Sequence, residues 1–152
     1  MLTRIITGVV GIALAAFVIQ TGGALFAGFA LVLSILAWFE YARAFHRKGS
    51  NLTFLTGILG LFLLWGCAWL GNAEESMAVT TGIVLIVLLE SVLLHGRVSF
   101  VDACTSVAGI LYLGLPFAHM VMLRGLYPET TLATSLGSFD FGCAMIWVMF
   151  IG

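Results

Sequence analysis

The chain has 152 residues, of which 62% are hydrophobic and only 9% charged, and its mean hydropathy is +1.18. Soluble domains carry roughly 25% charged residues, so a water-exposed globular domain is excluded and an integral membrane protein is indicated. The formal net charge of -1 comes with no polybasic run, which gives nucleic acid no footprint.

A membrane-crossing helix needs about 20 predominantly apolar residues, with about 17 to 25 tolerated. On that ruler the chain divides into spans at about 5–20, 24–41, 52–70, 77–94 and 103–123, with a sixth, incomplete, at about 139–152. The first two meet at Gln20-Thr21-Gly22-Gly23, a tight glycine turn. Arg4 ahead of an apolar run also resembles the start of a signal peptide, but the later apolar runs favour a first anchor helix. The second span closes at Glu40-Tyr41-Ala42-Arg43, and Gly71-Asn72-Ala73-Glu74-Glu75-Ser76 reads as a polar loop before the fourth. The expected fold is therefore all-α, a single polytopic transmembrane helix bundle over 1–152. Strands are not expected, because an isolated strand leaves its backbone groups unsatisfied in lipid.

Basic residues near membrane segments stay on the cytoplasmic side. A cytoplasmic N-terminus places Arg4, Arg43, Arg47, Lys48 and Arg97 inside and leaves only Arg124 outside. The same topology sends the sixth span back toward the cytoplasm. The apolar stretch Phe141 to Gly152 has no cap, charge or polar tail, and the expectation is a chain whose remaining part follows.

Small residues recur at helical spacing, at Gly8, Gly11 and Ala15 and again at Gly57 and Gly60. They let helix backbones approach in lipid, where no hydrophobic drive brings helices together. A packed bundle is the first reading and association into a homodimer the second. Cys67, Cys104 and Cys143 lie in separate apolar runs without metal-ligand spacing and read as small core residues.

Few residues are candidates for chemistry. Glu90 is an acid deep in an apolar helix, where burying a charge costs about 2.5–3.5 kcal/mol, so it is a site candidate; seven residues before Arg97, it can equally be protonated, paired with another helix or close to the membrane interface. His95, Arg97 and Asp102 flank one turn and suit an anionic headgroup or a cation, although a solvated helix boundary looks the same. Pro116 inside the fifth span removes a backbone hydrogen bond and presses on the Tyr112 carbonyl, and His119 lies one turn later. No phosphate-binding glycine loop, GxSxG, HExxH or metal-spaced carboxylate pair occurs.

The segments "LTRIITGVVGIAL", "QTGGALFAGFALVLSILAWFEYAR", "GILYLGLPFAHMVMLRGL" and "FDFGCAMIWVMFIG" resemble, in order and spacing, the N-terminal half of the phosphatidate cytidylyltransferase (CDP-diacylglycerol synthase) family. The matching features are Arg4 with Thr7-Gly8, Gly22-Gly23, Glu40, Tyr112 with Gly114, and Leu123-Arg124. The resemblance implies a polytopic enzyme of phospholipid biosynthesis that converts CTP and phosphatidic acid to CDP-diacylglycerol and pyrophosphate with Mg²⁺. The family's acidic signature is absent from these residues, so no catalytic or metal residue carries over, and the chain alone is expected to be inactive. Charge placement makes Arg43, Arg47, Lys48 and Arg97 the candidates for attracting a lipid headgroup. A bacterial inner membrane fits the compact loops. The competing reading is a small non-enzymatic membrane protein, a helix-bundle subunit or transporter-like unit in which Glu90 and the Pro116 break line a polar path.

Overall fold

A computed structural model describes residues 2–94, 96–127, 129–134 and 137–152, with the side chains of 2–5, Ala73, Thr134, Gly137 and Ser138 left undescribed. His95 and the side chain of Arg4 therefore lie outside the described residues. The helices are α1 (Leu2–Thr21), α2 (Gly23–His46), α3 (Phe54–Leu70), α4 (Ala73–Leu93), α5 (Phe100–Gly109), α6 (Leu115–Arg124) and α7 (Phe141–Ile151). Among the described residues, three helical stretches are long and apolar enough to cross a membrane: Gly23–His46, Glu74–Leu93 and Phe100–Arg124. The apolar helical stretches Ile6–Thr21, Phe54–Leu70 and Phe141–Ile151 are shorter among the described residues, the first because the side chains of 2–5 are not described although α1 itself has 20 residues. The described helices are compatible with an integral membrane protein; five complete crossings are not shown.

Several boundaries differ from expectation for local reasons. Gly22 and Gly23 both take positive φ, which turns α1 into α2 with no connecting loop. α2 runs on to His46, and Arg43 and His46 in its last turn favour the negative end of the helix dipole. The expected loop at Glu74-Glu75 is instead the first turn of α4, where acidic side chains favour the positive end of the dipole.

α5 and α6 form one rod through a π-helical turn, Ile110–Gly114. Pro116 sits in the first turn of α6, just beyond it. Proline cannot donate to the carbonyl four residues back, and the wider π turn takes up the mismatch without ending the helix. His119 is exposed and places Nδ1 2.7 Å from the Leu115 carbonyl, so its polar group is met by its own helix.

A β-hairpin, not foreseen from sequence, joins α6 to α7. β1 (Thr131–Thr134) pairs antiparallel with β2 (Gly137–Asp140), so the facing backbone groups of the two strands satisfy one another. Residues 139 and 140 thus belong to a strand, and α7 begins only at Phe141.

α3 packs against α2, α4 and α6. The fully buried Trp38, Leu61, Leu64, Ile110 and Ile146 mark the core. Trp38 lies against Gly57 of α3 and Gly109 of α5, each so close that a Cβ would overlap its ring; its indole N–H donates to the Phe54 carbonyl at 3.2 Å. By contrast Gly8 and Gly11 of α1 have nothing within 4 Å of where a Cβ would sit. Cys67 and Cys143 are buried as expected, whereas Cys104 is exposed on the outward face of α5.

Candidate functional site

One end of the bundle gathers the C-termini of α2 and α4 and the N-termini of α3 and α5. Asp102 holds that end together. Ser99 and Asp102 form a reciprocal capping box at the start of α5, in which the Ser99 amide and hydroxyl donate to Oδ2 at 3.0 and 2.7 Å. Oδ1 accepts the Asn51 amide at 3.0 Å, across from the α2–α3 connection. Next to it the Thr53 amide donates to Ser106 Oγ at 3.0 Å. Asp102 is 8% exposed, and its oxygens are met by N–H and O–H donors, so it serves as a tie rather than as a free ligand for a cation.

Two clefts flank this tie and share Asn51. The first, about 360 Å³, is lined by Arg43 and His46 together with Phe39, Ala42, Leu52 and Phe54. The second, about 700 Å³, holds Arg97 with Ser91, Ser99, Phe100 and Asp102. Of the four basic candidates the structure thus puts Arg43 and Arg97 into concave sites on either side of Asn51. Arg47 and Lys48 line neither, being exposed on the turn beyond α2, with the Lys48 ammonium 6.0 Å above the Phe45 ring. His46 was missed by sequence reasoning, although its three-residue spacing from Arg43 puts both on one helix face.

Arg43, His46 and Arg97 form no ion pair among the described residues. Among the described residues the ion pair present, Arg124–Asp140, is at the opposite end. Glu90 of α4 is half-buried and accepts a hydrogen bond from the Thr56 hydroxyl of α3. It is paired across helices and lines none of these clefts.

At the far end Arg124, singled out in sequence as the lone basic residue on its side and as part of the Leu123-Arg124 motif, organises a second cluster. Its side chain is 9% exposed and reaches Asp140 at 3.2 Å, while Nε donates to the Ile19 carbonyl at 3.0 Å. The guanidinium lies so close to Gly22 that no Cβ would fit there. The backbone of Arg124 in turn abuts Gly142 of α7. The glycine pair, Leu123-Arg124 and "FDFG", distant in sequence, are thereby one structural unit. The clue was present in the motif residues, but not that they meet.

No group of three or more His, Cys, Asp or Glu side chains that could hold a metal ion occurs among the described residues. The Mg²⁺ implied by the resemblance has no set of three or more such holders among them.

A family model described as the cytidylyltransferase family matches residues 2–152. No curated protein and no solved structure matches the chain.

Proposed function

Because the chain belongs to the cytidylyltransferase family, whose chemistry is nucleotidyl transfer, we propose that it is the membrane-embedded N-terminal portion of a phosphatidate cytidylyltransferase. The reaction joins a phosphate oxygen of phosphatidic acid to the α-phosphorus of CTP and releases pyrophosphate, leaving CDP-diacylglycerol. The observation that carries this reading is the family match over residues 2–152.

The geometry supports a definite share of that work. Two anionic partners must approach each other, and the negative charge on their phosphates has to be offset by positive groups. What this chain offers is positive charge in apolar-walled clefts at one end of the bundle, with Arg43 and Arg97 drawing in a phosphate and Arg47 and Lys48 adding to the surface potential. Orienting the chain with its N-terminus in the cytoplasm of a bacterial inner membrane puts that end on the side where CTP is found. The family's acidic signature is absent from these residues, and in this reading the chain by itself is expected to be inactive.

The test is incorporation of α-labelled CTP into lipid by native membranes, with and without the gene. Deletion should abolish labelled CDP-diacylglycerol, and Arg43→Gln should raise the apparent KM for phosphatidic acid about fivefold with the KM for CTP unchanged. Undiminished incorporation after deletion would refute the enzymatic reading and favour a non-enzymatic helix bundle.

A further inference from the structure

The clefts divided by Asn51 are not equivalent, and one matches a particular headgroup. Arg43 and His46 stand three residues apart at the end of α2, on one helix face with Cβ atoms about 5–6 Å apart, and both line the 360 Å³ cleft. Its walls are Phe39 and Phe54, edge-to-face at 5.0 Å, with Ala42 and Leu52 completing the apolar side. The volume lies within the range of about 300–1,000 Å³ usual for small-molecule sites.

We propose that this cleft is a phosphomonoester-selective lipid site, in which His46 distinguishes phosphatidic acid from phosphodiester lipids. The inference rests on phosphatidic acid being the lipid substrate. An arginine fork binds two oxygens of a phosphate side by side. A phosphodiester has only two non-bridging oxygens, and the fork uses both. A monoester has a third terminal oxygen, which an imidazole N–H one helical turn away can reach in either tautomer. The apolar walls take the start of the acyl chains.

The surroundings leave the pair available. Both side chains are exposed, and neither forms an ion pair among the described residues. The charged groups nearby are Glu40, one turn earlier on α2, Arg47 and Lys48 beyond it, and Asp102 behind Asn51. Glu40 forms no ion pair among the described residues, and Asp102 is held by Ser99 and Asn51.

The experiment titrates dioctanoyl phosphatidic acid and dioctanoyl phosphatidylglycerol into the full chain in phosphatidylcholine nanodiscs by calorimetry. The wild type should prefer the monoester. Arg43→Gln should weaken phosphatidic acid about tenfold. His46→Phe should weaken it about threefold while leaving phosphatidylglycerol unchanged, and His46→Gln, which restores an N–H donor, should recover most of the loss. Arg47→Gln should weaken both lipids by the same factor, as surface potential does. Equal binding of the two lipids by the wild type, or equal losses for both in His46→Phe, overturns the proposal. Cytidylyl transfer in native membranes is scored separately: transfer to phosphatidic acid without this selectivity removes the cleft assignment alone, whereas absence of transfer removes the substrate reading.

Discussion

Arg124 shows how a single charge is made tolerable inside an apolar bundle. A helix ends with carbonyls that have no partner within it, and a cation at that end gains from both hydrogen bonds and the helix dipole. Arg124 serves α1 in this way through the Ile19 carbonyl, while Asp140 balances its charge. Arg124→Gln is expected to lower the unfolding free energy in mild detergent by about 2 kcal/mol, because it leaves Asp140 and the α1 carbonyls without a donor. Gly22→Ala is expected to cost about 1–3 kcal/mol by itself, since φ of +62° disfavours any side chain there and a Cβ would meet the guanidinium. The double variant should cost less than the sum, since the Gln side chain no longer fills the space the Cβ needs. Strict additivity would show that the glycine is required for its backbone angle alone.

Between helices, the same amino acid has different consequences on different rods. Gly57 of α3 faces the Trp38 ring and Gly11 of α1 faces open space. Gly57→Ala is expected to cost about 1–3 kcal/mol through overpacking, whereas Gly11→Ala should be neutral or gain up to about 1 kcal/mol in helix propensity. Unfolding midpoints in detergent separate the two, and a marked loss for Gly11→Ala, together with a shift in oligomer mass, would reveal a second copy packed on α1. Across α3 and α4, Thr56→Val removes the donor to Glu90 and should cost about 1 kcal/mol, while Glu90→Gln keeps an acceptor and should be nearly neutral. The apolar runs made the helices readable in sequence, because length and hydropathy decide whether a segment can lie in lipid. The hairpin was not readable, since Thr131–Thr134 and Gly137–Asp140 are four residues each and are stable only through pairing. Pro116 announced a disturbed helix, but whether the answer is a kink, a break or a π turn depends on what packs against Ile110–Gly114, which no local pattern contains. Ser99 and Asp102 had the spacing of a capping box, yet the presence of Arg97 drew Asp102 into a supposed ligand cluster; its Asn51 partner lies 51 residues away.

Across the whole molecule the polar groups collect at two ends that are structurally independent. α3 alone, with 17 residues, separates them by about 25 Å at 1.5 Å per residue, and the intervening core is apolar. The basic end depends on Asp102, whose carboxylate fixes the Asn51 wall between the Arg43 and Arg97 clefts. The other depends on Arg124. Asp102→Ala should cost about 2 kcal/mol by freeing the Ser99 and Asn51 donors and should raise hydrogen exchange at the Asn51 amide. Exchange at Gly22, whose amide donates to Val18 at 3.0 Å at the far end, should remain as in the wild type. Because the two ties share no partner, the destabilisations from Asp102→Ala and Arg124→Gln should add to within about 0.5 kcal/mol. The functional consequences should separate in the same way. Asp102→Ala displaces the shared wall and should raise the apparent KM for phosphatidic acid, whereas Arg124→Gln should reduce the amount of folded protein without changing that KM. A KM change of equal size in both variants would mean that the apolar middle of the bundle transmits strain from end to end, and the two clefts would then not be a local construction of α2, α3 and α5.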